Sequence, residues 1–281
     1  MALYDRILLA TDLSARSDRA LDRAMMVAAS EGSQLVVLHV LEPVAGNRFY
    51  PPTQPLPSLA GLVRQRLLHD LGDCAEKAQI RIEQGDPAEV IVRVAREMEA
   101  TLVIVGVARV ERLGRFALGA TVERLVRAVE APLLIVTERA RRPYQHVAVA
   151  VDLSPVSTQT LALATSTFPT KITAFHAFNR VYGTSDSGAA LAQSRQVAET
   201  NYQDWLASTQ LPAEARARVV SRIEHGDPAQ LLRGAAGNGD FDLVVIGTRG
   251  RGRIFEFFIG SVAKQILAEL PGDALFVREA K

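Results

Sequence analysis

The chain has 281 residues, 48% of them hydrophobic and 22% charged, with 32 Lys plus Arg against 31 Asp plus Glu. That length suits two ordinary domains with sizeable cores, and the near-neutral balance argues against nucleic acid, whose phosphate backbone calls for a marked basic excess. One cysteine, Cys74, excludes an intramolecular disulfide and fits a reducing compartment.

The opening MALYDRILLATDLS carries charges at Asp5 and Arg6 and breaks its apolar run at Asp12, so a secretory leader is not expected. No apolar run approaches the roughly 18 residues that span a bilayer, and a soluble cytoplasmic protein is the default. RILLA (6–10) predicts a buried strand, followed by Ser14 as a helix N-cap. Residues 15–30 then place Ala20, Leu21, Ala24, Met25, Val27 and Ala28 on one helical face. QLVVLHVL (34–41) is the second strand. Pro43 to Ser58 holds five prolines and reads as an irregular or extended loop. Residues 59–78 read as a helix, with Cys74 as a plain residue on its face, and 80–84 as the third strand. A helix over 88–98 is opened by Asp86-Pro87. LVIVG (102–106) is the fourth strand, 121–129 a helix, and PLLIV (132–136) the fifth strand.

The chain is then written a second time. RILLATDLS (6–14) recurs as HVAVAVDLS (146–154), IEQGDPAEVIVRVA (82–95) as IEHGDPAQLLRGAA (223–236), and ATLVIVGVAR (100–109) as FDLVVIGTRG (241–250). Asp12 and Asp152 are 140 positions apart; Gly85 and Gly226, like Gly106 and Gly247, are 141 apart. A constant offset over whole halves means tandem duplication of one domain, and its period is too long for a solenoid. The boundary falls near ERARRPYQ (138–145), giving domains over 1–140 and 141–281. Continuous apolar strands alternating with helices imply a parallel sheet covered on both faces, an open doubly wound α/β fold in each half. The counterpart of the proline-rich loop is NRVYGTSDSGAA (179–190), rich in Gly and Ser. Both segments suit the carboxyl ends of the strands, and both suit a plain surface excursion.

The stretch GTRGRGRIFEFFIGS (247–261) carries the chemistry. Gly247 ends a strand and Gly260-Ser261 opens a helix, the place where backbone N–H groups and a helix N-terminus favour phosphate. Glycines at 247 and 250 allow a tight turn and a close approach to a ligand. Ser261 offers a hydroxyl and an amide, and Arg249, Arg251 and Arg253 add positive charge. No Walker A string occurs, and a Gly-x-Gly-x-x-Gly turn would need glycine at Phe255. The spacing is instead Gly247-x2-Gly250-x9-Gly260-Ser261.

Other chemistry is thin. His39, His69, His146, His176 and His225 form no pair at metal-ligand spacing. His39 and His176 end equivalent strands, where a structural or pocket-wall role outweighs catalysis. The repeated Gly-Asp-Pro reads as a turn and helix start, and no Gly-x-Ser-x-Gly elbow with a plausible triad is present.

The glycine spacing, together with VDLS at the end of the first strand, resembles the ATP-binding branch of the universal stress protein family. The resemblance covers essentially the whole chain as two fused copies and implies an adenine nucleotide alpha hydrolase-like, Rossmann-like fold of two five-stranded, mostly parallel sheets. It implies a site for ATP, ADP or AMP, with Mg²⁺ as a possible companion. Ala150, Val151, Asp152 and Ala177 would meet adenine and ribose; Gly247, Arg249, Gly250, Gly260, Ser261 and Val262 would cradle the phosphates. Asp152 also has a physical rationale, since a strand-end carboxylate suits a ribose hydroxyl; its competing role is a cap or turn residue. Ala177 departs from the branched aliphatic residue usual in the family. The first half keeps Asp12 and Val40 but has Arg109 and Ala120 at the second glycine and the serine, so loss of nucleotide binding there is expected. A cytoplasmic stress-response regulator with one site is the leading expectation, without catalytic residues. A weak ATPase or nucleotidyl-transfer enzyme, and a scaffold for a non-nucleotide ligand, are the alternatives. The resemblance also implies pairing of last-strand edges, PLLIV and ALFVRE (274–279), within the chain, and a homodimer as a further option.

Overall fold

The computed structural model describes residues 4–42, 56–107, 119–179, 188–248, 263, 265, 266 and 271–278. The chain divides into two compact units, with Pro143 closing one and Tyr144 starting the main body of the other. In the first unit, β1 (Arg6–Thr11), β2 (Gln34–Leu41), β3 (Ala78–Gln84), β4 (Leu102–Gly106) and β5 (Leu133–Val136) lie in the order β3-β2-β1-β4-β5. Every pairing among these strands is parallel. Ile7, Leu8, Leu9, Val37, Leu38, Val103 and Ile104 are fully buried, because helices cover both faces. The connections are α1 (Ala15–Glu31), α2 (Leu56–Leu71), α3 (Pro87–Glu97) and α4 (Ala120–Ala128).

The second unit repeats the plan with β6 (Val147–Ala150), β7 (Ile172–Phe178), β8 (Val219–His225), β9 (Leu243–Gly247) and β10 (Asp273–Val277), in the order β10-β9-β6-β7-β8 and again parallel. Its helices include α5 (Pro155–Thr167), α6 (Gly188–Ser208), the short α7 (Ala213–Ala217) and α8 (Pro228–Gly237). In each unit the chain runs outward from the first strand for two crossovers and then returns to its other side. Right-handed crossovers therefore send successive helix pairs to opposite faces. The reversal lies between β1 and β4, and between β6 and β9, which is where open sheets of this kind take ligands.

The Gly-Asp-Pro strings behave as expected. Gly85 and Gly226 adopt φ of 147 and 137, a region that disfavours side chains. Asp86 and Asp227 cap the next helices by accepting from the Glu89 and Gln230 amides at 3.0 and 2.9 Å, with Pro in the first turn.

Three boundaries differ from the sequence expectation. The helix expected over 59–78 stops at Leu71, because Gly72 turns left-handed and a 3-10 segment (Gly72–Glu76) follows. Cys74 therefore sits half-buried in that segment. Helices α2 and α6 begin at Leu56 and Gly188, inside the stretches expected to be irregular. Pro57 is no obstacle in a first turn, where its missing N–H has no partner to lose. The rest of those two stretches, residues 43–55 and 180–187, lies outside the described residues.

Each end of the charged linker is tied to its own unit. Arg19 and Arg23 on α1 donate to the Thr137 and Arg142 carbonyls at 2.6 and 2.9 Å. Beyond it, the Asp242 carboxylate accepts from the Gln145 and His146 amides at 2.9 and 3.0 Å. The Tyr144 hydroxyl donates to the fully buried Asp273 at 2.6 Å. No helix among the described residues is long and apolar enough to cross a membrane.

Candidate functional site

Register places the candidate residues. Ala150, the last residue of β6, lies opposite Phe175 on β7 and Ile246 on β9. Two residues further along each chain come Asp152, Ala177 and Thr248, so the three flank the carboxyl-end crevice at one level. Ala150, Val151 and Gly247 lie just behind them. Arg249, Gly250, Gly260, Ser261 and Val262 fall outside the described residues.

The turn from β6 into α5 is closely held. The Val151 amide donates to the Phe175 carbonyl at 2.9 Å. The Val151 carbonyl meets His176 Nδ1 at 2.9 Å. A carbonyl can only accept, so Nδ1 carries the proton and His176 is a backbone staple. Leu153 has φ of 62, a left-handed conformation costing about 1–3 kcal/mol for a residue with a Cβ. That turn lets the Ser154 amide and the Ser157 hydroxyl both donate to Asp152 Oδ1, at 3.1 and 2.5 Å. The Ser157 hydroxyl in turn accepts from the Asp152 amide at 3.0 Å. Ser154 caps α5 through the Ser157 amide at 3.2 Å.

Asp152 is exposed, and the hydrogen bonds above fall on Oδ1 or on its amide. Oδ2 accepts none of these. Surrounding protein pushes the Asp152 pKa up, but the Ser154 and Ser157 hydrogen bonds outweigh this and hold it below its ordinary value of 3.8. The charged form is therefore favoured by folding. Its stabilisation is fully present above the ordinary carboxylate range and is lost as pH falls through the lowered value. Asp152→Asn keeps an acceptor without the charge. Its deficit in urea unfolding at neutral pH is expected to shrink in acid; a deficit unchanged by acid would overturn this account.

Gly247 has a role that differs from the one its motif suggests. A Cβ there would lie 2.7 Å from Val156 Cγ1 and 3.0 Å from Thr160 Oγ1 on α5. Its lack of a side chain lets the helix seat against the end of β9, whatever a ligand requires. Thr248, buried beside it, donates its amide to the Val277 carbonyl at 2.9 Å.

The first unit repeats most of this. Asp12 Oδ1 accepts from the Ser14 amide at 3.0 Å and from the Ser17 hydroxyl at 2.7 Å, Leu13 has φ of 59, and His39 Nδ1 lies 2.9 Å from the Thr11 carbonyl. One difference is local: the Ser14 hydroxyl donates to Asp12 at 2.5 Å, and Ser14 makes no side-chain cap bond. By register Asp12, Val40 and Val107 occupy the level of Asp152, Ala177 and Thr248. Helix α4 opens at Ala120 after Gly119, which has no side chain to cap it; Arg109 lies outside the described residues. Leu13, Leu153, Ser17 and Ser157 carry the two turns and were missed by sequence reasoning, although both pairs recur at equal offset from each aspartate. Among the described residues no group of His, Cys, Asp or Glu is placed to hold a metal ion.

A model of the universal stress protein family matches residues 3–137 and, again, residues 143–278. The chain belongs to the universal stress protein family. It is a tandem member, and relatives of that family share its length. A universal stress protein of Mycolicibacterium smegmatis is 23% identical over 290 residues, covering 97% of this chain and 96% of its own. One of Mycobacterium tuberculosis is 28% identical over 281 residues, covering 93% and 92%. The solved structure of a universal stress protein from Archaeoglobus fulgidus superposes with a TM-score of 0.69 at 18% identity, covering 98% of this chain and 99% of that one. The two sheets thus have the Rossmann-like α/β fold of universal stress proteins.

Proposed function

We propose that this tandem universal stress protein is a cytoplasmic regulatory protein of the stress response that binds ATP, ADP or AMP in its second domain (141–281), while the first (1–140) has lost that capacity. One observation carries the reading: the exposed Asp152, whose Oδ1 takes the Ser154 amide and the Ser157 hydroxyl, stands at the β6–β9 reversal beside the strand that leads into the glycine spacing. A ribose diol suits a strand-end carboxylate. Ala150, Val151 and Ala177 would border the base. Gly250, Gly260, Ser261 and Val262 would supply main-chain and hydroxyl donors to phosphates, with Arg249 as counter-charge. Mg²⁺, where present, would be held mainly by the phosphates, since the described residues place no group of three His, Cys, Asp or Glu to hold a metal ion.

Isothermal calorimetry with the intact chain tests the reading. The expected stoichiometry is about one nucleotide per chain, with affinity reduced in Asp152→Ala by about tenfold, the loss of one charge-assisted hydrogen bond. Two equivalents would restore the first domain as a site. No heat with any adenine nucleotide would remove the reading altogether.

A further inference from the structure

In the first unit, charged pairs fasten the helix that follows the glycine spacing. Asp86 divides its two oxygens. Oδ1 caps α3 through the Glu89 amide at 3.0 Å, and Oδ2 accepts from Arg124 of α4 at 2.7 Å. Arg124 also reaches Glu89 at 3.5 Å. Near the other end of the two helices, Arg96 on α3 pairs with Glu130, just past α4, at 3.4 Å. The Arg124 hydrogen bond is the foremost cause holding the Asp86 carboxyl below its usual range.

At the matching positions the second unit's sequence supplies neither pair. At the repeat offset of 141, Asp86 is matched by Asp227, but Glu89 becomes Gln230 and Arg124 becomes Gln265, while Arg96 and Glu130 become Gly237 and Pro271. Asp227 still caps its helix, so duplication kept the cap while the residues of these two cross-helix pairs stand only in the first copy. Helix α4 spans nine residues and buries only Val122, Leu125 and Val126. So short a helix is marginal by itself and depends on tertiary fastening.

We propose that Arg124 is an electrostatic latch that fixes α4 onto the first turn of α3 without any ligand, standing in for the phosphate contacts that Arg109 and Ala120 no longer support. The proposal rests on the reading of the first domain as the ligand-free half. The latch makes that domain a constitutive scaffold, insensitive to nucleotide, beside a partner domain that responds to it. Both charges are partly exposed, so the latch weakens with salt as the Debye length contracts to about 3 Å near 1 M.

Amide hydrogen exchange over residues 120–128 of the full chain tests it. At low salt Arg124→Gln is expected to speed exchange there about two- to fivefold, the range for an exposed pair reaching a second carboxylate. In about 1 M NaCl the difference between wild type and variant should shrink. Arg66→Gln, which removes a pair internal to α2, should change nothing in α4. Unaltered exchange in Arg124→Gln, or an acceleration undiminished by high salt, would overturn the latch, the second outcome assigning Arg124 to packing. Nucleotide titration of the same variants keeps the two proposals apart. Arg124→Gln should bind ATP as the wild type does, and reduced binding would also overturn the latch. A wild type that binds no nucleotide would remove the site reading, while the exchange result would stand.

Discussion

Gly250→Arg is expected to abolish ATP binding, so that calorimetry giving about one equivalent for the wild type gives no measurable heat for the variant. The substitution copies into the second domain the residue that the first already has, since Arg109 occupies the corresponding position. Two effects act together. A Cβ and a long side chain are added in the glycine spacing after β9, where the main chain would need to approach a phosphate. Main-chain N–H donors are then displaced, and each charge-assisted bond lost weakens binding by about 1.5–3 kcal/mol. The positive charge of the new side chain works in the opposite direction. A variant that binds as tightly as the wild type would mean that charge substitutes for the main-chain cradle, and Arg109 would then no longer argue for loss in the first domain. Melting temperature at saturating nucleotide gives an independent readout, because a ligand that binds only the folded state raises it.

The duplication and the sheet were legible because both rest on patterns longer than any one residue. Two strings of Gly-Asp-Pro at equal offset, each followed by helical periodicity, identify a turn and a cap, and Asp86 and Asp227 fulfil both. Continuous apolar strands such as 102–106 imply cover on both faces, and β4 has it. The turn after each first strand was only half legible. Asp152 was open between ribose acceptor and turn residue, and the structure shows its turn role through Oδ1. Nothing in the letters marks Leu13 and Leu153 as left-handed, because leucine has no intrinsic reason to be there. The conformation is imposed by the serine and aspartate bonds around it. Equal letters also gave unequal bonds: Ser154 caps α5, whereas Ser14 turns its hydroxyl to Asp12. Hydroxyl rotation is a choice among neighbouring acceptors that a single sequence does not rank. Glycine spacing has the same ambiguity at Gly247, where the motif points to a ligand and the packing points to a helix.

That ambiguity yields the second large effect, on stability. Gly247→Ala should destabilise the second domain by about 1–3 kcal/mol, the usual range for overpacking a core contact. The new methyl would sit 2.7 Å from Val156 Cγ1, closer than real Cβ contacts come. Val156 is buried on α5, and a β-branched side chain in a helix has essentially one rotamer, so it cannot swing away. Thr160 is no easier to move, since its hydroxyl donates to the Val156 carbonyl at 2.8 Å. The helix must therefore shift off β9, and with it the Ser154–Ser157 turn that holds Asp152. Thermal unfolding should report a midpoint lowered by about 2–4 °C per kcal/mol. Adding Val156→Ala opens space for the methyl, and the double variant should lose less stability than the two single changes together. A strictly additive pair would mean that the methyl never meets Val156 and that any loss of stability comes from elsewhere, such as Thr160. Recovery of stability without recovery of nucleotide affinity separates the two roles: packing restored at α5, the phosphate approach still blocked by the Cβ at 247.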